Sequence, residues 1–463
     1  MSQTAVPKPS LSLLDAIAII VGIVIGAGIF ETPALVAANA KSSTVMLLAW
    51  AVGGVMSLIG AMCFAELATA YPHPGGNYHY LIRAFGTSPG FLFVWARLTV
   101  IQTGSIAMLG FIFGDYSSQV FSMGPHSSAI YATIAVVVLT LANVAGVQMG
   151  KWTQNLLTVS TLFGMALIVF AGFKLGGMAA PAADTAASGG GGRGAASLGM
   201  VMIFVLLTFG GWTESAYVSA ELRDVRRNMA RALLGSIGII TGIYLLVNFA
   251  MLRGLGLNGM ANAEAVGSEL LRRALGAPAA LIMSLLVGVT VLSSMNATVI
   301  TGARTNYAMG RDYRMFSWLG RWSVRGNTPV AALVVQAAIA LGLIFLGTLA
   351  RSGFESMVEY TTPVYWFFLL LTGISLILLR RSEPHIPRPF RVPLYPITPI
   401  AFCAIAAYMM YSSLAYAGLG SLVGVAVLAA GVPFLFFIRR REVVENHVEP
   451  AFSPVLDQER KVA

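Results

Sequence analysis

Charge is what this sequence has least of. Lys, Arg, Asp and Glu make up 10% of its 463 residues, while 57% are hydrophobic. A soluble domain carries roughly 25% charged residues, so a water-facing surface of ordinary composition is excluded. Cysteine is nearly absent too. Cys63 and Cys403 both fall inside apolar runs, which excludes a disulfide framework and a disulfide-linked partner subunit. The five histidines show no metal-ligand spacing, so no metal and no cofactor is expected. The apolar runs also hold no paired His/Asp cluster and no serine–lysine motif, which argues against an enzyme embedded in the membrane. No continuous polar stripe or charged ring marks a channel.

What remains is apolar length. Runs of roughly 20 residues predict an all-α integral membrane protein with about twelve transmembrane helices. They fall near 12–40, 43–70, 88–113, 128–148, 153–175, 199–221, 231–253, 278–306, 329–349, 355–380, 395–415 and 418–438. The first run is long and lacks a cleavage site, so it reads as an uncleaved first span. One permease domain is expected over 12–441, between a cytoplasmic N-terminus (1–11) and a cytoplasmic tail (442–463). The net charge of +10 serves orientation rather than nucleic-acid binding. With both termini inside, 21 of the 29 Lys and Arg fall in cytoplasmic segments, as the positive-inside rule requires of a protein in the cell membrane. Residues 179–198 form a low-complexity outside loop. Residues 261–276 have a helical pattern and read either as a short external helix or as a plain connector.

Two spans carry glycine where a membrane helix should be continuous. The first reads GIVIGAGIFETP (22–33), interrupted at Gly26-Ala27-Gly28; the sixth is interrupted at Phe209-Gly210-Gly211-Trp212. Gly22 and Gly26 also fit a GxxxG packing pattern. The matching break five spans later favours inverted repeats around a central site, with repeat one near 12–175, repeat two near 199–380 and two extra helices near 395–438. Backbone groups left open within hydrocarbon must find partners. Half-helix ends offer amides on one side and carbonyls on the other, which suits the carboxylate and ammonium of an amino acid.

GIVIGAGIFETP resembles the first-span motif of the amino acid–polyamine–organocation transporters, above all the bacterial permeases related to the L-type amino acid transporters. FAELATAYPHPGGNYHYLIRAFG (64–86), LTFGGWTESAYVSAELRDVRRN (207–228), GARTNYAMGRD (302–312) and RPFRVPLYPITPI (388–400) resemble further motifs of that family, in order. The resemblance implies a leucine-transporter-like fold of ten core helices in a 5+5 inverted repeat, broken in helices 1 and 6, plus two C-terminal helices. It implies secondary transport of amino acids by alternating access, as antiporter or symporter. The substrate carboxylate would meet amides around Gly26, Ala27, Gly28 and Ile29. Its ammonium would meet carbonyls near Val24, Leu207, Thr208 and Gly210, with Phe209, Gly211 and Thr213 completing the site.

Three departures from the family pattern stand out. Ala27 replaces a common serine, leaving the carboxylate to the backbone. Leu207 replaces an aromatic gate in some relatives, so Phe209 or Trp212 would occlude the site or gating differs. Thr161 stands where many members have lysine. A cation, Na+ or H+, would then bind with Ser293 or Ser294 as ligands, or exchange is uncoupled.

Ionisable side chains at membrane depth are candidates for function. Glu66 reads as a partner for a loop arginine such as Arg83, or as a proton carrier. Glu214 reads as substrate-facing or proton-carrying, or as a carboxylate favoured at a helix N-terminus. Glu31 falls in the outer half of span one, and Asp15 reads as an interfacial cap. Arg304, Arg311, Asp312 and Arg314 with Glu221, Arg223 and Asp224 form either an inner ion-pair gate or an orientation-setting basic loop. Small and aliphatic residues around the breaks favour neutral L-amino acids. The alternative is a cationic amino acid or polyamine permease with Glu214 as counter-charge.

Overall fold

The computed structural model describes residues 12–73, 75–146, 151–176, 194–214, 222, 224–323, 328–349, 352–416 and 419–438. The two terminal segments, most of the loop 179–198, Glu221, Arg223 and the side chain of Glu214 lie outside the described residues.

Among the described residues every element is helical, with no β-strand. The helices are α1 (Leu13–Val24), α2 (Gly28–Asn39), α3 (Ser43–Ala70), α4 (Gly76–Phe85), α5 (Thr87–Val120) and α6 (Ser127–Val144). There follow α7 (Lys151–Gly176), α8 (Gly194–Phe209), α9 (Val225–Ala261), α10 (Val266–Leu275) and α11 (Ala277–Asp312). The last are α12 (Val330–Thr348), α13 (Gly353–Ser382), α14 (Ile397–Tyr416) and α15 (Leu419–Ala429). Nine helices among the described residues are long and apolar enough to cross a bilayer, and α1 with α2, bent by 50°, would make a tenth. Leu198–Thr213 and Gly420–Phe436 are shorter apolar helices. The chain is a multi-pass membrane protein, and the segment 261–276 contains a helix, α10.

Lipid tails are as apolar as leucine, so helices in a bilayer associate through close packing and polar contacts rather than through hydrophobic burial. Small residues do this here. A β-carbon on Gly172 of α7 would lie 2.2 Å from the carbonyl oxygen of Ala250 on α9. One on Gly114 of α5 would lie 2.1 Å from that of Ser128 on α6. Both pairs therefore touch backbone to backbone, while Leu48, Val52 and Val55 on α3 stay exposed for lipid.

The start of α1 is locally encoded. Ser12 caps it, accepting from the Asp15 amide at 3.3 Å, and Asp15 Oδ2 accepts in return from the Ser12 amide at 2.9 Å. This reciprocal box satisfies two otherwise open donors. Asp15 is thus the cap's partner rather than the cap itself.

Two joints elsewhere are alike. The ten-residue helices α4 and α10 each end at a glycine, Gly86 and Gly276, with φ of 88° and 92° and ψ of −171° and 177°. Each of these glycines caps the long helix that follows, α5 or α11. Side chains rarely adopt that left-handed conformation, which is why glycine occupies both positions.

Candidate functional site

The first break runs through Ile25, Gly26 and Ala27. The Gly26 amide turns back to the Val24 carbonyl at 2.9 Å, and α2 restarts at Gly28. Ala27 stands at the N-cap of α2, where its methyl group caps nothing. The amides of Ala27, Gly28 and Ile29 have no backbone acceptor among the described residues. Three open donors at a helix N-terminus, carrying partial positive charge, form a receptor for an anion such as a carboxylate.

The end of α8 faces this break. Helix α8 ends at Phe209, and Gly210–Glu214 continues as a 3₁₀ turn. A β-carbon on Gly211 would lie 3.0 Å from the Ile23 carbonyl oxygen, and one on Gly28 would lie 3.4 Å from the Thr208 side chain. A β-carbon on Gly26 would meet Ser294 Oγ of α11 at 3.3 Å. Gly26, Gly28, Thr208, Gly211 and Ser294 therefore converge, along with Val24, whose Cα is 3.2 Å from the Gly211 position.

Three contributors carry no sequence signal that singles them out. Tyr244 of α9 is fully buried and its hydroxyl lies 2.9 Å from the Val24 carbonyl and 3.2 Å from the Thr208 carbonyl. The single phenolic hydrogen is shared between acceptors on opposite breaks. With the Gly26 amide also on it, the Val24 carbonyl has both lone pairs engaged. This departs from the expectation that Val24 is free for an ammonium. Thr32 and Thr208 approach at 2.6 Å between hydroxyl oxygens. Thr32 also donates to the Gly28 carbonyl at 2.9 Å and Thr208 to the Phe204 carbonyl at 2.8 Å, so two hydrogens serve three contacts. Tyr365 of α13 brings its hydroxyl to 3.5 Å from the Gly210 carbonyl, which also receives Thr213 Oγ1 at 3.4 Å. These are long contacts, leaving the Gly210 carbonyl the more available acceptor.

The remaining candidates divide. Leu207 is half-buried, but Phe209 is fully enclosed, 5.0 Å from the Tyr244 ring and 6.1 Å from Trp50 between centroids. Trp212 packs edge-on to Phe64 at 5.0 Å. Both aromatic side chains are thus spent on packing against α3 and α9, where rings gain contact area and edge-to-face geometry. Beside them a small pocket is lined by Ser57, Leu206, Gly210, Trp212 and Tyr365. Thr161 of α7 is buried and lies 3.0 Å from Thr290 of α11 between hydroxyl oxygens, while Ser293 and Ser294 are half-buried one turn along.

Glu66 sits elsewhere, in the last turns of α3, and is wholly buried. It pairs not with Arg83 but with Arg380, which engages both carboxylate oxygens. Arg388 adds a contact at 3.5 Å and the Val392 amide donates at 2.7 Å. Arg83 instead meets Glu383 at 2.9 Å. A buried carboxylate needs this many donors, and a half-exposed arginine on α4 supplies too few. Burial alone would raise the Glu383 carboxyl, but hydrogen bonds from Arg83 and Tyr71 outweigh it and hold it below the ordinary carboxylate range. Asp312 accepts from Tyr78 at 2.8 Å, and among the described residues no ion pair joins the Arg304–Arg314 stretch to Asp224. Gln102 on α5 donates to the Thr298 carbonyl of α11 at 2.9 Å, tying two helices together.

Comparison with known proteins matches this sequence to one family. The chain is 30% identical over 412 residues to the b(0,+)-type amino acid transporter 1 of Rattus norvegicus, covering 88% of this chain and 83% of that one. It is 27% identical over 441 residues to the serine/threonine exchanger SteT of Bacillus subtilis (strain 168), covering 94% and 98%. It is 29% identical over 472 residues to the large neutral amino acids transporter small subunit 2 of Homo sapiens, covering 97% and 83%. The family described as amino acid permease matches residues 11–435, and a match over nearly the whole chain means that this protein belongs to the amino acid permease family.

Proposed function

We propose that the chain is a secondary amino acid transporter of the cell membrane. It works by alternating access and binds the substrate's carboxylate at the open amides of Ala27, Gly28 and Ile29. That trio of donors is the observation that carries the reading. The ammonium turns to the carbonyls of the second break, above all Gly210, and small residues around both breaks suit neutral L-amino acids. The repeated joint of α4–Gly86–α5 and α10–Gly276–α11 supports the 5+5 inverted repeat, with the second break as counterpart of the first. Both termini are cytoplasmic in this reading. The naming of SteT as an exchanger favours antiport. Thr161, with Thr290 and Ser293, is the position at which a coupling cation would be held if transport is symport.

The test is uptake by purified protein in liposomes. Labelled neutral, cationic and acidic amino acids are offered with and without internal unlabelled amino acid, sodium and a pH gradient. Saturable, stereoselective uptake is expected, strongest against internal amino acid. Non-saturable flux, or no uptake of any panel member, would overturn the reading.

A further inference from the structure

About one helical turn beyond Gly28, α2 carries a carboxylate that the backbone site leaves unused. Glu31 Oε2 is sealed from solvent and accepts no hydrogen bond. Charged groups at membrane depth persist where something compensates them, and the surroundings of Glu31 do the opposite. From α5 it is faced by Asp115 and Tyr116, and from α13 by Glu355, itself beside Glu359. Helix α10 brings Glu269, whose charge is taken by Arg272 and Arg273. Helix α9 brings Tyr244, already bonded to Val24, and α8 has no titratable residue. From α3 come Glu66, engaged by Arg380, and the free thiol of Cys63, both toward its far end. No Lys or Arg among the described residues pairs with Glu31, Asp115 or Glu355. The N-terminal dipole of α2 favours negative charge in its first turn, and among the described residues no cation of the protein pairs with this carboxyl.

We propose that Glu31 is the counter-charge for the positively charged side chain of a transported amino acid, an ammonium or a guanidinium. The inference rests on reading the breaks as the amino acid site, and widens its substrates from neutral to cationic amino acids. With the substrate carboxylate on the amides of Ala27 to Ile29, Glu31 lies roughly 4.5 Å further along the helix axis. A side chain of three or four methylenes reaches it while the carboxylate stays in place. Asp115 and Glu355 add two more carboxyl groups to the approach, and an arriving cation would favour their charged forms. The Tyr116 hydroxyl, donating to the Phe30 carbonyl at 2.9 Å, fixes the backbone that carries Glu31. The assignment differs from a counter-charge at Glu214, because Glu31 extends from the helix that supplies the carboxylate's donors.

Arginine and citrulline nearly share a shape and differ in charge, so their ratio of kcat/KM isolates the effect. Full-length wild type, Glu31→Gln and Glu31→Asp are compared in liposomes preloaded with unlabelled amino acid, at several pH values and with or without sodium. Glu31→Gln is expected to lower the arginine-to-citrulline ratio by about tenfold or more, the size of one charge-assisted hydrogen bond. Glu31→Asp should recover part of it, which a misfolded protein would not. An unchanged ratio in Glu31→Gln overturns the inference. So does a variant whose ratio holds while its response to the pH gradient or to sodium is lost, since Glu31 would then serve a proton or an inorganic cation. Wild type that carries citrulline but excludes arginine sinks this inference alone, whereas wild type that carries no amino acid sinks the transport reading beneath it.

Discussion

The hydroxyl of Tyr244 donates to the carbonyl oxygen of Val24 across 2.9 Å, joining α9 to the last residue of α1. The same hydroxyl lies 3.2 Å from Thr208, so one phenol holds the ends of two half-helices in register.

Tyr244→Phe removes that hydroxyl while keeping the ring that packs on Trp50 and Phe209. Two buried carbonyls lose a shared donor, which costs about 1–3 kcal/mol. The expected outcome is folded protein with transport slowed about tenfold or more. Counterflow rates of the two proteins, with thermal unfolding measured alongside, check it. Wild-type rates in Tyr244→Phe would contradict a positioning role.

Gly211 is the tightest point between the breaks. Its missing β-carbon would stand 3.0 Å from the Ile23 carbonyl and 3.2 Å from the Ile23 side chain. Gly211→Ala should push the half-helices apart and cut kcat/KM about a hundredfold, since displacement of about 1 Å has that effect on a positioned site. Gly238→Ala is the control, because nothing lies within 4 Å of its β-carbon position. Equal activity in the two variants would rule out the close approach as a functional constraint.

The carboxylates of Glu66 and Glu383 should respond differently to change. Glu66→Ala leaves Arg380 without its partner and is expected to destabilise by about 3–5 kcal/mol, read as a large fall in Tm. Glu383 is partly exposed and paired with an arginine that is 37% exposed, so Glu383→Gln should cost less than about 1 kcal/mol at neutral pH. Because its folded pKa is depressed, its contribution is present above the unfolded carboxylate value and fades as pH falls through the folded one. Tm curves of wild type and Glu383→Gln should run apart at neutral pH and converge below about pH 4. Curves that converge on the alkaline side instead would refute the sign.

The legible part of this protein was written in glycine and apolar length. Gly26 and Gly28 flank the 50° bend between α1 and α2, Gly210 and Gly211 stand where α8 gives way to a 3₁₀ turn, and the nine long apolar helices among the described residues match bilayer thickness. Tyr244 and Thr32 were silent, since a lone hydroxyl in an apolar run looks the same whether it bridges two breaks or bonds its own turn. Phe209 closes α8 and turns its ring onto Trp50 and Tyr244, and an aromatic residue at a helix end reads the same whether it gates or packs. Trp212 lies in the 3₁₀ turn, which rotates each residue more than an α-helix does, so the sequence does not say which way its ring faces. The partner of Glu66 lies 314 residues away, a distance across which charge pairing has no local pattern.

The two glycine joints have one more consequence. Gly86 precedes the helix that carries Asp115 and Gln102, and Gly276 precedes the helix that carries Thr290 and Ser294. If the halves run oppositely through the bilayer, the same elbow is installed once at each surface. A stiffening substitution would then be felt at whichever side owns the elbow. Gly86→Ala and Gly276→Ala become a matched pair of brakes, one on each door of the same passage.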